Sequence, residues 1–447
     1  MKVSGIVLRV ALILAVITSL IMTAFIWRNP SRLEKRDATT PAVTIKTTDT
    51  RTAASQESSV YLPTMAYYQH GNQKQMLYQD GQDVVTRVHK TLETTSLTKI
   101  EKSAKLDEAD FTKLINTGDS VQLMYADVMA FSLFKTQFFD HPIKTSTDFK
   151  FNRMIINLKS GTKTVTLVND ATRQTYTGHV SGLKVAQLQK IATQYDTGGF
   201  DLQEARFGTR MVPLFTKSIA IRPYTYLLDR QSVSHYIPIL LTPNANNRDT
   251  VDARELGSET VYTVGTNLRL SVNNSSGDME YENTAATKPS QSMGKFFDQT
   301  FGALDKLSLP SLTAMRYFAY DSTKQAVTYR SYVQNFAIFN QTSNGTVQVT
   351  YNQNTLQADF SGDNVTVPIP TNEQTVTLPS TPALLSLLAQ KGYTENKIQN
   401  IMVGYHWVKQ DKNDLVVDLQ PTYYVQINGQ IQEYTAWLND TTTQGGQ

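Results

Sequence analysis

Asp278, Glu280 and Glu282 alternate along one short segment, and alternate residues of a strand share a face. Carboxylates paired at a defined separation are the machinery of glycoside hydrolysis. The same stretch, Gly277-Asp278-Met279-Glu280-Tyr281-Glu282, is also a hairpin arm with its carboxylates in water and Met279 and Tyr281 turned inward. The solvated arm is the preferred reading. Serine chemistry of the α/β-hydrolase kind needs G-x-S-x-G, which is absent. Penicillin-binding chemistry needs S-x-x-K, S-x-N and K-[ST]-G in that order. S-x-x-K begins at Ser96, Ser160, Ser181 and Ser292, and Ser271-Val272-Asn273 supplies S-x-N. The one K-[ST]-G, Lys159-Ser160-Gly161, precedes Ser271, so the order fails.

His70, His89, His141, His179, His235 and His406 are scattered and form no H-x-x-x-H or H-E-x-x-H pair. The chain has no cysteine, which excludes thiol nucleophiles, disulfide scaffolds, zinc ribbons and iron–sulfur clusters. There is no Walker loop and no dinucleotide fingerprint. The expectation is a chain without catalytic, cofactor-binding or metal-binding residues. A net charge of +3 over 447 residues, with no arginine-rich arm, gives no reason to expect nucleic acid. Hydrophobic residues make up 40% of the chain, enough for real cores.

The elements follow from periodicity. Val10–Trp27 carries no charge between Arg9 and Arg28, and 18 residues at ~1.5 Å each span ~27 Å, close to a bilayer core. The run reads as a transmembrane helix. A cleaved signal peptide is the alternative, but the run is longer than a signal core, and Phe25-Ile26-Trp27-Arg28 lacks a small-x-small cleavage pattern. Ala11, Ala15, Ser19 and Thr23 repeat every four residues, and such a stripe either lets another helix pack closely or aligns by chance. Lys2 and Arg9 on one side face Arg28, Arg32, Lys35 and Arg36 on the other, so flanking charge alone does not orient the helix.

Residues 28–59 read as a threonine-rich linker. Residues 60–200 form a first α+β unit, with strands expected at Tyr61–Tyr68, near Met76–Tyr78, and at Val121–Tyr125, Phe149–Leu158, Thr162–Val168 and Gln174–Val180. Its helices are expected over Asp83–Thr94 and Asp107–Asn116 and around Leu183–Tyr195. Residues 201–309 form a second unit, with strands near Lys217–Leu227 and Val261–Tyr281, the latter broken into a hairpin around Asn273-Asn274-Ser275-Ser276-Gly277. It closes with an amphipathic helix through Met293, Phe296, Phe297, Phe301 and Leu304. Residues 310–440 form a third unit, mostly strand, with hairpin turns at Asn344-Gly345 and Asn428-Gly429. Its clear helix is expected to be capped by Thr381, with Leu384, Leu385, Leu387 and Leu388 on the core face and Gly392 as the stop. Strands Ile401–Lys409 and Leu415–Ile427 follow, and 441–447 read as a disordered tail. The fold class is α+β, with mixed, mainly antiparallel sheets and packed helices behind a single N-terminal helix.

Taken in order, these segments resemble the YycH family, accessory regulators of the cell-wall sensor histidine kinase YycG (WalK) in low-GC Gram-positive bacteria. The resemblance rests on Tyr61-Leu62-Pro63-Thr64, on Phe151-Asn152-Arg153-Met154-Ile155-Ile156 with Thr164–Asp170, and on Gly265–Leu270 with its Gly277–Tyr281 return. It continues through Ile401-Met402-Val403-Gly404-Tyr405-His406-Trp407, Leu419–Val425 and Asn428-Gly429. The long threonine-rich linker and the basic flank Arg28–Arg36 are local departures. The resemblance implies a single-pass protein of the cell membrane, with residues 1–9 cytoplasmic and a three-domain body outside. It implies a YycI-like single-pass partner, the YycG/WalK-like kinase and the membrane as contacts. Two other functions stay open on the residues alone. One is a wall-polymer binding module using the tyrosine-rich third unit; the other is an envelope hydrolase using scattered carboxylates.

Overall fold

The computed structural model describes residues 56–116, 118–195, 198–242, 250–371, 373–410 and 413–439. The chain divides into Met1–Thr48 and Asp49–Gln447, and every described residue belongs to the second unit. Among the described residues no helix is long and apolar enough to cross a membrane. The run Val10–Trp27 and its Ala11, Ala15, Ser19 and Thr23 stripe lie outside them.

The fold is α+β with two large sheets. The first has nine strands in the order Ser96–Lys105, Gln174–Ser181, Thr164–Asn169, Lys150–Asn157, Ser120–Ala130, Met65–His70, Gln73–Met76, Phe200–Phe207 and Arg210–Phe215. All of its neighbours are antiparallel. The second has fourteen strands and runs from Asp252–Leu256 through Asp278–Asn283, Thr355–Ser361, Ile398–Gln410 and Asn413–Ile427 to Asp363–Ile369. Its one parallel pair among the described strands joins Phe336–Phe339 to Ile398–Gln410. Ile219–Ile221 and Val376–Leu378 make a separate two-stranded ribbon.

Two apolar cores weld the sheets together. Helix Met293–Lys306 buries Phe296, Phe297, Phe301 and Leu304 in a cluster that also contains Leu123 and Phe151 of the first sheet and Val349 and Phe360 of the second. A second cluster joins Tyr67, Met76 and Phe215 to Phe336, Trp407 and Tyr423.

Local signals explain most elements. Asp83 caps helix Val84–Leu92 by accepting from the Thr86 amide at 2.9 Å, and Val84, Val85, Val88 and Leu92 form its buried face. Asn428-Gly429 turns between Ile427 and Gln430 with both residues at positive φ, 51° and 80°, as a two-residue hairpin of this hand requires.

Several expectations need correction. The strand predicted from Tyr61 starts at Met65, because Pro63 has no amide to give a ladder and Tyr61 is drawn into the core. Pro223 splits the run Lys217–Leu227 into Ile219–Ile221 and Tyr224–Arg230. Val261–Tyr281 contains two turns and three strands, the extra turn at Gly265-Thr266-Asn267. The helix predicted to be capped by Thr381 is capped by Ser380, which accepts from the Ala383 amide; Thr381 is its first residue, and its hydroxyl accepts from the Phe215 amide at 2.9 Å. On that helix Leu384 and Leu388 are buried, whereas Leu387 is 39% exposed. Strand Ser96–Lys105 escapes a hydrophobic reading because it is an edge strand that buries little beyond Leu97. Its Lys99, Lys102 and Lys105 discourage pairing with another chain.

Gly404 shows why one segment tolerates so little. A Cβ there would sit 2.5 Å from Phe339 Cε2 and 2.7 Å from the Ala337 carbonyl, across the parallel pair. Gly404→Ala is therefore expected to cost ~1–3 kcal/mol, the usual range for overpacking. Chemical denaturation of the full chain measures it, and an unchanged midpoint would contradict this packing.

Candidate functional site

Two constellations stand out: one where the chain enters its body, the other at the centre of the first sheet. Residues 56–60 form a single helical turn that leads into Tyr61. The Tyr61 side chain is buried against helix Met293–Lys306. Its hydroxyl donates to the Phe297 carbonyl at 2.8 Å and lies 2.9 Å from the Tyr329 hydroxyl. Thr300 Oγ1 also donates to the Phe297 carbonyl, at 2.9 Å, and lies 2.7 Å from the Tyr329 hydroxyl. With both of those hydrogens on the Phe297 carbonyl, the single Tyr329 hydroxyl hydrogen goes to one of its two hydroxyl neighbours. The Tyr61 ring stacks on Phe297 with a 6.1 Å centroid separation.

Glu57, one turn earlier, meets Asp298 of the same long helix. Burial, then the Asp298 charge, pushes the Glu57 carboxyl up to about 7, while a hydrogen bond with Gln137 pulls it back. Burial also raises Asp298. Ser58 Oγ donates to Gln137 Oε1 at 2.9 Å on the neighbouring helix Phe131–Phe138. The first turn of the body is thus held by neutral hydrogen bonds and one carboxyl pair.

The second constellation is built on Arg153, in the middle of strand Lys150–Asn157 and fully buried. Its Nη2 donates to Asp170 at 2.8 Å and to Glu204 at 2.6 Å, and its Nη1 donates to Gln122 Oε1 at 2.7 Å. Nε closes the fork on Asp170 at 2.9 Å. Lys74, nearly as buried, donates to Glu204 Oε2, which Arg153 Nη1 also reaches at 3.0 Å. Burial alone would raise Glu204, but Arg153 and Lys74 outweigh it and hold the carboxyl down to about 2. Arg153 is driven up by Asp170 and Glu204 against its own burial. Two cations and two anions balance, and their carboxylates are committed to partners. Such a network fixes geometry.

The carboxylates singled out in the sequence do not converge on a reaction centre. Asp278 accepts from the Ser343 amide and the Ser276 hydroxyl at 2.8 Å each, and Glu280 stands opposite Asp359 across the ladder. Burial, then Asp359, raises Glu280. Glu282 lies 3.9 Å from Arg269. Met279 and Tyr281 point inward, as the hairpin-arm reading requires. The histidines stay apart: His89 meets the Phe138 carbonyl, His179 meets Glu101, and His70 meets Asp119. Among the described residues no three potential ligands group as a metal site. Arg153 and Asp170 had a sequence signal, a charged residue inside the apolar run Phe151–Ile156 facing an acidic turn. Glu57 had none, because its partner lies far along the chain.

The comparisons with known proteins bear on the whole chain. Residues 7–197 match the family described as YycH protein, N-terminal domain, and residues 216–440 match YycH protein, C-terminal domain. The chain belongs to the YycH family. The crystal structure of YycH from Bacillus subtilis shares the fold, with a TM-score of 0.68 and 14% identity, over 84% of this chain and 96% of that one. No curated protein matches. Membership supports a regulatory role toward the sensor histidine kinase, in a family of extracytoplasmic regulatory accessory proteins that is not a known enzyme family.

The Glu57 pair makes the junction sensitive to pH. The folded-state value lies above the ordinary 4.5, so the proton is bound more tightly in the fold. That stability is present below about 4.5 and is lost as pH rises through about 7. Glu57→Gln keeps a neutral hydrogen-bonding group and is expected to flatten the decline in melting temperature between pH 5 and 8. Parallel profiles for the two proteins would contradict this.

Proposed function

We propose that this YycH protein is a non-catalytic, single-pass regulator of the cell-wall two-component system. In this reading Val10–Trp27 crosses the membrane, residues 1–9 are cytoplasmic, and 28–59 link the helix to an extracytoplasmic body. The body comprises domains over 60–200, 201–309 and 310–440. It acts on a YycG/WalK-like kinase together with a YycI-like single-pass partner. Family membership over nearly the whole chain carries the proposal.

Two features agree with it. The buried charges of Arg153, Lys74, Asp170 and Glu204 are paired with one another and brace the first sheet. The first residues of the body are locked onto its longest described helix through Tyr61, so a movement of either is passed to the other. Regulation of this kind asks little energy. Contacts that differ by ~1–3 kcal/mol between two kinase states shift their balance about 5–150-fold.

The stripe Ala11, Ala15, Ser19 and Thr23 is the proposed contact face in the membrane. Ala15→Leu combined with Ser19→Leu is expected to reduce co-purification of the kinase from solubilised membranes severalfold while membrane insertion stays intact. Undiminished recovery would remove the stripe from the proposal. Release of muropeptides by the purified protein would overturn the regulatory reading in favour of a hydrolase.

A further inference from the structure

A cavity of about 270 Å3 opens where the first sheet meets the second. Met65, Met76, Met124, Met211 and Met402 line it, along with rings that include Phe336 and Phe339. Methionine is the most adaptable apolar side chain, and a wall rich in it conforms to flexible hydrocarbon better than to one rigid shape. The cavity touches the Arg153 network through Asp170, so one wall is held rigid while the methionine walls can adjust.

Charge at the rim narrows the occupant. Asp127, Asp170 and Arg210 are the charged residues lining the cavity. Asp170 is committed to the Arg153 fork. Asp127 accepts from the amides of Val128 at 2.8 Å and Tyr320 at 3.1 Å, and its side chain is 15% exposed. Arg210 gives Nη1 to the Ala126 carbonyl at 3.0 Å, stands 3.4 Å from Asp127 through Nη2, and is 37% exposed. Of five guanidinium N–H groups, these contacts engage only part. The accessible charged donor at the mouth is therefore Arg210, beside the exposed residues Thr209 and Ala171.

We propose that this cavity binds an acyl chain bearing an acidic head, the chain among the methionines and the head on Arg210. The site is independent of the kinase reading: it stands on the lining and the rim, and either can fail without the other. A free fatty acid and an anionic phospholipid present the same chemistry.

The test uses the full chain in phosphatidylcholine vesicles with a photoactivatable dodecanoic acid, followed by mapping of labelled peptides. Labelling is expected on the segments around Met65, Met124 and Met402. Saturated acids should compete, each added methylene tightening competition about fourfold until the cavity is filled. Arg210→Gln should reduce labelling severalfold, and Ala337→Trp, which fills the lining, should abolish it. Arg210 lies on the rim, so its variant reads the head group even if Ala337→Trp fails to fold. A photoactivatable phosphatidylglycerol identifies the source. Labelling of the cavity by both probes supports the site with lipid as a donor, and labelling by the acid alone supports it with free acid. Labels confined to residues 1–55, or unmoved by Arg210→Gln, overturn the proposal. Dodecanol competing as well as dodecanoate would also overturn it.

Discussion

The buried guanidinium of Arg153 is the constraint on which the first sheet depends. It binds Asp170, Glu204 and Gln122 at once, and Lys74 closes the ring on Glu204. Those residues come from separate strands or their ends, so the network fixes how the middle of the sheet is ordered and registered. Two charges of each sign taken out of water gain little net stability, and apolar residues of similar volume often do as well. A single broken partnership is another matter, because it strands a buried charge at a cost of ~3–5 kcal/mol. The arrangement therefore favours one pairing of strands over its alternatives more than it deepens the well.

The strand beside this network, Met65–His70, is also the first strand of the body. The preceding residues are held on helix Met293–Lys306 through Tyr61 and Glu57. That helix buries its apolar face in a core shared by both sheets. The point where the chain enters is thus coupled to both halves of the body within a few residues. Here the junction is fixed by buried hydroxyl bonds and by one carboxyl whose affinity for protons is centred near neutrality.

Much of the fold was legible in the sequence because its signals are local. Asp83, Gly392 and Asn428-Gly429 mark where elements start, stop and turn, and the Phe296–Leu304 period marks the long helix. What was not legible depends on partners far apart in the chain. Strand Ser96–Lys105 has too few apolar residues to announce itself, and only its place at the sheet edge makes sense of its lysines. Thr381 looked like a cap, but Ser380 took that role and freed Thr381 to accept from Phe215, 166 residues away. The Glu57–Asp298 contact and the methionine-lined cavity have no sequence signature, since each joins residues far apart in the chain. Family resemblance reached further than any local rule, because the order of segments survives where individual motifs do not.

The central claim is that this body changes the state of a kinase by contact. The direct measurement is autophosphorylation of the sensor kinase in lipid vesicles, with and without the full chain. The account predicts a change in rate on the order of fivefold or more, with no turnover of wall material. It also predicts that the change shrinks when Tyr61→Ala releases the first segment from helix Met293–Lys306. An identical rate with and without the chain would contradict it.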